Sequence, residues 1–336
     1  MSSSDINLSG RKILVVCPKF FGYETRVVNQ LRARGALVEF ADERPGNSPL
    51  DKVLIRIQSR LIRPKIRRHY ASILERYKDS AFDDILFISP ECCNEPILDA
   101  FRASYPRTRL LLYMWDSLKN KGHHDPAGFL AKFDRTLSFD REDCRNYDIP
   151  LRPLFFSEAV PEALETPNEY AFSFVGTIHS DRYRVLRAMC EAADGLGLTY
   201  FVYPYLPSRL HYWLYRWVKP EFKGKRKSDF KFAPLAYSEV MRVMRSSVAI
   251  IDVEHPMQRG LTMRTFEVLG AVKKLATTNR DIANYPFYDP ARIMVIDRQA
   301  PHLDARFFRL AAEPLEESFV SEFSLNGWID SIFRLN

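Results

Sequence analysis

Short apolar runs that alternate with amphipathic helical stretches constrain this chain more than any other feature. Lys12-Ile13-Leu14-Val15-Val16-Cys17 is branched, apolar and six residues long, which reads as a strand buried on both faces. Val27, Val28 and Leu31 follow at helical spacing before Gly35, and Leu37 to Phe40 resumes strand character. The same exchange recurs through Ile85 to Ile88, a helix opened by Pro96, Leu110 to Met114, and Thr136 to Phe139. Strand and helix taking turns in this way predict a mostly parallel sheet with helices on both faces.

The alternation stops between Ser157 and Glu169, where the chain is acidic, carries Pro161 and Pro167 and has no period. A linker is expected there. Beyond it lie a strand from Ala171 to Val175, a helix from Arg182 to Ala193 capped by Ser180 and ending near Gly195, and a strand from Thr199 to Tyr203. Val248 to Ile251, a helix from Met263 to Leu269 with Gly270 placed to end it, Lys274 to Thr277 and Ile293 to Ile296 complete the second half. We therefore expect an N-terminal domain over 1–156, a linker over 157–170, a C-terminal domain over 171–324, and a terminal helix over 325–336 that packs back on the first domain.

A length of 336 residues suits two domains that each bury a core. No run reaches the roughly 18–20 apolar residues needed to cross a bilayer, and the Ser-rich start lacks a signal pattern, so a cytoplasmic protein is expected. The five cysteines have no metal-binding spacing and are expected as free thiols. A net charge of +7 calls for an acidic partner. Its cations bunch in two places: Lys52 to Arg68, interleaved with Ile and Leu, and Arg209 to Lys227, interleaved with Tyr212, Trp213, Tyr215 and Trp217. Basic amphipathic segments with aromatics suit the anionic inner face of a plasma membrane. For the first segment a solvated face beside a core stripe is the commoner outcome. The second is costlier to leave exposed. Nucleic acid is a poor fit, since no reading module is present and the cations do not form one groove-tracking stripe.

The chemistry concentrates in two loops of the second half. Gln258 to Gly270 reads as a polar loop entering a short helix, with Arg264 in its first turn and Glu267 one turn deeper. Free amides and the helix dipole favour phosphate at such a start, Arg264 can add a two-pronged contact, and Glu267 can accept from a pair of sugar hydroxyls. The competing reading is a surface ion pair between residues three apart. The other loop, Val175 to Arg182, offers Gly176 for close backbone approach and His179, Ser180 and Arg182 as donors. In the first half, Lys19-Phe20-Phe21-Gly22-Tyr23-Glu24 has one glycine where a dinucleotide fold has three, so a pyrophosphate is not expected there and the Asp42-Glu43 pair loses its ribose meaning. Glu24 and Asp116, at strand ends, are candidates for a general base. Asp140 reads as a helix cap, and His123-His124 as an exposed loop without metal partners.

Taken together, "KFFGYE", "FADERP", "LLYMWDS", "LSFDREDC", "FVGTIHSDRY" and "HPMQRGLTMRTFEVLGAVKKLATTN" give a chain that resembles the bacterial GT-B glycosyltransferases of lipopolysaccharide and capsule assembly over nearly all of 11–298. The last two motifs are the specific ones. The resemblance implies an α/β chain of two Rossmann-like doubly wound domains facing across a cleft, a nucleotide sugar held by the second domain, an acceptor held by the first, and no metal or other cofactor. Carried over by position, Glu267 would hold the ribose, while Thr262, Met263 and Arg264 would face the diphosphate. Gly176, Thr177, His179 and Arg182 would line the same donor. Many retaining members place a second acid eight positions before the ribose-binding glutamate. Here that position is Arg259, which favours an inverting displacement. The expected function is transfer of a sugar to a cell-surface glycan or lipid-linked acceptor at the inner membrane face. The alternative is a catalytically inactive sugar-nucleotide-binding or scaffold protein of the same fold.

Overall fold

The computed structural model describes residues 6–20, 22–48, 55, 59–120, 125–157, 167–256, 259–309, 312–313 and 316–334. The chain divides into two compact units, Met1–Ser157 with Leu325–Asn336, and Glu158–Ser324.

Unit 1 holds β1 (Lys12–Cys17), α1 (Tyr23–Ala33), β2 (Leu37–Asp42), α2 (Ser59–Arg76), β3 (Asp84–Ile88), α3 (Glu95–Ser104), β4 (Arg109–Met114), α4 (Pro126–Leu130), β5 (Arg135–Ser138) and α5 (Arg141–Tyr147). The strands pair in the order β2-β1-β3-β4-β5, all parallel. All of β3, and β1 after Lys12, is buried, which explains why they read as apolar runs rather than alternating ones. The chain leaves β1 toward β2 on one side and returns as β3 on the other. Beyond the carboxyl ends of β1 and β3 there is thus a switch point, the usual ligand crevice of a doubly wound sheet.

The last helix of the chain, α11 (Leu325–Phe333), belongs to this unit. Its Trp328 is fully buried, edge-on to Tyr113 at 4.9 Å between centroids and 5.0 Å from Phe155. Asp330 pairs with Arg34 at 2.6 Å.

Unit 2 holds β6 (Tyr170–Thr177), α6 (Arg182–Leu196), β7 (Tyr200–Tyr205), α7 (Arg209–Val218), α8 (Tyr237–Arg245), β8 (Ser247–Asp252), α9 (Met263–Gly270), β9 (Lys274–Thr277), β10 (Ile293–Val295) and α10 (Glu317–Phe323). Its order, β10-β9-β8-β6-β7, repeats that of unit 1 with all strands parallel. The equivalent switch point lies between β6 and β8.

Two helix ends differ from expectation. Asp181, not Ser180, is the residue before α6, because Ser180 takes a left-handed turn at φ +49° and its hydroxyl faces His179. The helix also runs through Gly195 to Leu196, since Gly197 supplies the left-handed conformation at φ +63° that ends it. Gly270 is the last buried residue of α9, with Ala271 as its cap. Among the described residues no helix is long and apolar enough to cross a membrane.

Candidate functional site

The switch point of unit 2 is built on a buried carboxylate. Asp252 ends β8, and its Oδ2 accepts from the Thr262 hydroxyl at 2.6 Å. Thr262 in turn caps α9, accepting from the Thr265 amide at 3.4 Å. The other oxygen, Oδ1, lies 4.0 Å from Arg264 Nε. One strand-end acid therefore fixes the cap and lies near the first-turn arginine of the helix expected to face an anion.

Arg264 is drawn over β6. Its guanidinium carbon sits 5.4 Å from the Phe174 ring centroid. A β-carbon at Gly176 would meet Phe174 Cζ at 2.9 Å and Arg264 Nη2 at 3.4 Å. Gly176 is thus required by crowding: any side chain would press on the phenylalanine ring and the arginine together. The structure brings Gly176, Thr262, Met263 and Arg264 to one edge, with Glu267 one turn deeper on α9 and half-buried like Thr262, Met263 and Arg264.

Arg182 takes a different place from the one expected. It donates from Nε to the Val253 carbonyl and from Nη1 to the Thr177 carbonyl, both at 2.7 Å. It clamps the ends of β6 and β8 to each other beneath the loops. Burial, with Arg264 and Arg298 nearby and against Asp252 and Glu254, brings it down to about 10, so it stays charged at neutral pH.

His179 is pushed down to about 4 by burial, and further by Arg182, His255 and Lys219. Its ring is neutral at physiological pH, with Nδ1 3.2 Å from Ser180 Oγ and the His255 ring 5.8 Å away. Thr177 gives its carbonyl to Arg182, and its side chain is half-buried. Arg182, Arg264, Arg298 and Lys219 thus gather near this sheet edge, and together with burial they lower the protonation of His179 and Arg182.

Sequence reasoning missed the acids and the arginine behind this edge. Arg298 reaches Asp181 at 2.6 Å, the Glu254 carbonyl at 2.9 Å and Thr278 Oγ1 at 3.0 Å, and also bonds the Glu254 carboxylate. Thr278 donates to the same carboxylate, whose protonation is raised by burial and opposed by Thr278 and Arg298. Asn279 Nδ2 donates to the Arg259 and Gly260 carbonyls at 3.1 and 3.4 Å, fixing the loop before α9. The available signal was the acid at the end of an apolar run, "SVAIIDVE".

The matching edge of unit 1 carries carboxylates. Glu24 lies in the first turn of α1, nearly buried, and its Oε2 accepts from the Phe20 amide at 3.0 Å, closing a loop that turns at Gly22 with φ +81°. Phe20 packs on Trp115 at 5.8 Å, which sets this loop beside the half-buried Asp116. Glu43 is fully buried and accepts from the amides of Glu91 and Cys92, while Arg44 pairs with Glu91 at 2.9 Å. Asp140 caps α5 through the Glu142 amide at 2.8 Å. Among the described residues no group of three His, Cys, Asp or Glu side chains is arranged to hold a metal ion, and His123 and His124 lie outside those residues. The five cysteines are free thiols.

No protein-family model matches this sequence, and no curated protein matches it. Among solved structures the chain is similar to Anabaena Alr3699/HepE in complex with UDP-glucose, at 11% identity over 96% of this chain and 98% of that one, with a TM-score of 0.56. It is likewise similar to the lipopolysaccharide outer core galactosyltransferase WaaB, at 14% identity over 96% and 99% and a TM-score of 0.52. The chain has the GT-B fold. A third likeness, to the N-terminal domain of Candida albicans trehalose-6-phosphate phosphatase, gives 10% identity over 98% of this chain and 97% of that one with a TM-score of 0.60. Identities this low speak to the fold and leave the chemistry to the site itself.

Proposed function

We propose that this chain is a glycosyltransferase that moves a sugar from a nucleotide donor onto a cell-surface glycan or its lipid-linked precursor. The observation that carries the reading is the assembly at the unit 2 switch point, where Asp252 fixes Thr262 and Arg264 lies over Phe174 beside the bare backbone of Gly176. In this reading the α9 amides and Arg264 hold the diphosphate and Glu267 accepts from the ribose hydroxyls. Gly176 and Thr177 present backbone to the donor, Met263 lies against it, and Arg182 and His179 shape the loop rather than grip phosphate. The solved complex of HepE with UDP-glucose supports a nucleotide sugar as the ligand class.

The charge that develops on the departing diphosphate falls on Arg264 and the helix start, so the proposed transfer is metal-independent. With Arg259 where a second acid stands in many retaining enzymes, displacement with inversion is the reading we favour. It needs a general base at the acceptor hydroxyl. Glu24 and Asp116 are the two first-unit candidates; Glu24 is nearly buried with Oε2 accepting from the Phe20 amide, and Asp116 is half-buried.

Thermal unfolding of the full chain against a panel of uridine, thymidine, guanosine and cytidine nucleotide sugars tests the proposal. One donor class should raise the midpoint by mass action and support transfer to a glycan acceptor. A raised midpoint without any turnover would favour a binding protein of the same fold, and no shift with any member would sink the donor assignment.

A further inference from the structure

Helix α7 has two apolar faces, and only one of them is used by the fold. On the inner face Tyr212 is buried, packs on Phe230 at 5.7 Å and donates to the Lys225 carbonyl at 2.8 Å, while Tyr215 meets Phe222 at 5.4 Å. On the outer face Leu210, Trp213, Leu214, Trp217 and Val218 recur at i, i+3, i+4, i+7 and i+8, one continuous stripe. Leu210 is 75% exposed and Trp217 is 85% exposed. Of nine exposed large apolar side chains among the described residues, these are five, so the exposure is a feature of this helix and not of the surface at large.

The charge around the stripe selects what covers it. From Arg209 to Lys227 the chain carries seven lysines and arginines against one carboxylate, Glu221. Arg209, Arg216, Lys223, Arg226 and Lys227 are exposed beside the stripe. A second copy of this chain would bring the same cations face to face, and a protein partner would need its own acidic rim around an apolar centre. A sheet of anionic headgroups over acyl chains matches both parts at once, with Trp213 and Trp217 at the depth where indole rings settle.

We infer that the outer face of α7 docks on an anionic lipid bilayer. The helix contacts the candidate donor loop through Lys219 at its end, which donates to the Ser180 carbonyl in the β6–α6 loop. Docking therefore holds unit 2 at the membrane with its donor loop beside the docked helix. The described part of the other basic segment differs; the side chains of 52–54 and 56–61 lie outside the described residues. On α2 the apolar residues Ile66, Tyr70 and Ile73 are buried in the core of unit 1, while Arg63, Lys65, Arg67 and Arg68 are exposed.

The test is cosedimentation of the full chain with vesicles of phosphatidylcholine alone or with a third phosphatidylglycerol, read beside tryptophan emission. The wild type should partition onto the anionic vesicles at least about tenfold more strongly, with blue-shifted emission and a loss in high salt. The pair Leu214→Ser and Trp217→Ser should lose about tenfold or more of that binding while keeping its unfolding midpoint and its nucleotide-sugar affinity, since neither residue touches the donor site. The pair Lys223→Glu and Lys227→Glu should weaken binding and flatten its salt dependence, whereas Arg63→Glu with Arg67→Glu should leave binding nearly unchanged. Wild type that stays in the supernatant with both vesicle types overturns the inference. So does a solution dimer that the Leu214 and Trp217 pair dissociates, which would assign the stripe to self-association.

Discussion

The two units share strand order and connection, yet their switch-point edges are built from different side chains. Unit 1 carries Glu24, Glu91 and Asp116 there, with Glu43 fully buried behind them, and most of them are tied down by backbone amides or Arg44. Unit 2 presents Arg264, with Arg182 and Arg298 and the acids Asp252 and Glu254 set behind it as supports. One scaffold can hold a developing anion or withdraw a proton, depending on which charge its strand ends put forward. The contrast underlies the proposal that the cationic edge grips and the acidic edge reacts, and each half of that proposal can be attacked separately.

The largest effect is expected at the acidic edge. Asp116→Asn should lower turnover by roughly 10²–10⁴-fold, the range of a lost general base, with donor affinity unchanged. Steady-state kinetics beside equilibrium binding would read this, and full activity in the variant would remove Asp116 from the chemistry. A smaller effect is expected at the cationic edge from Gly176→Ala. Its β-carbon must displace Phe174 or Arg264, so donor affinity should fall about tenfold and stability by about 1–2 kcal/mol. An unchanged dissociation constant would mean that Arg264 does not need its seat over β6.

The smallest effect concerns protonation. His179 is held near 4, below its ordinary 6.5, so the folded chain binds fewer protons than the unfolded one between those values. Stability should fall as pH drops from about 6.5 toward 4, by about 1–2 kcal/mol once solvent screening of this half-buried ring is allowed for. His179→Gln should flatten that part of a urea-unfolding profile. An identical acid limb in the variant would show that the ring does not lose its proton on folding.

The sheets were legible because their signals are local. A buried parallel strand such as Ile13 to Cys17 or Val248 to Ile251 must be apolar throughout, and a helix such as α9 shows its period within two turns. The supports of the site were not legible, because Asp252, Glu254 and Arg298 converge only when distant strand ends are brought side by side. Arg182 looked like a phosphate ligand for the same reason: residue type and loop position were visible, but not the two carbonyls that claim it. The pair α2 and α7 makes the limit plainest. Both read as basic amphipathic segments, and periodicity shows that a stripe exists without showing whether a core already covers it.

Isothermal titration of the full chain with the tightest-binding nucleotide sugar, comparing wild type with Arg264→Ala, Glu267→Gln and Asp116→Asn, addresses the division of labour head on. We predict one site per chain, weakened about a hundredfold by Arg264→Ala and about tenfold by Glu267→Gln, and untouched by Asp116→Asn. Full affinity in both unit 2 variants, or its loss in Asp116→Asn alone, would contradict the account.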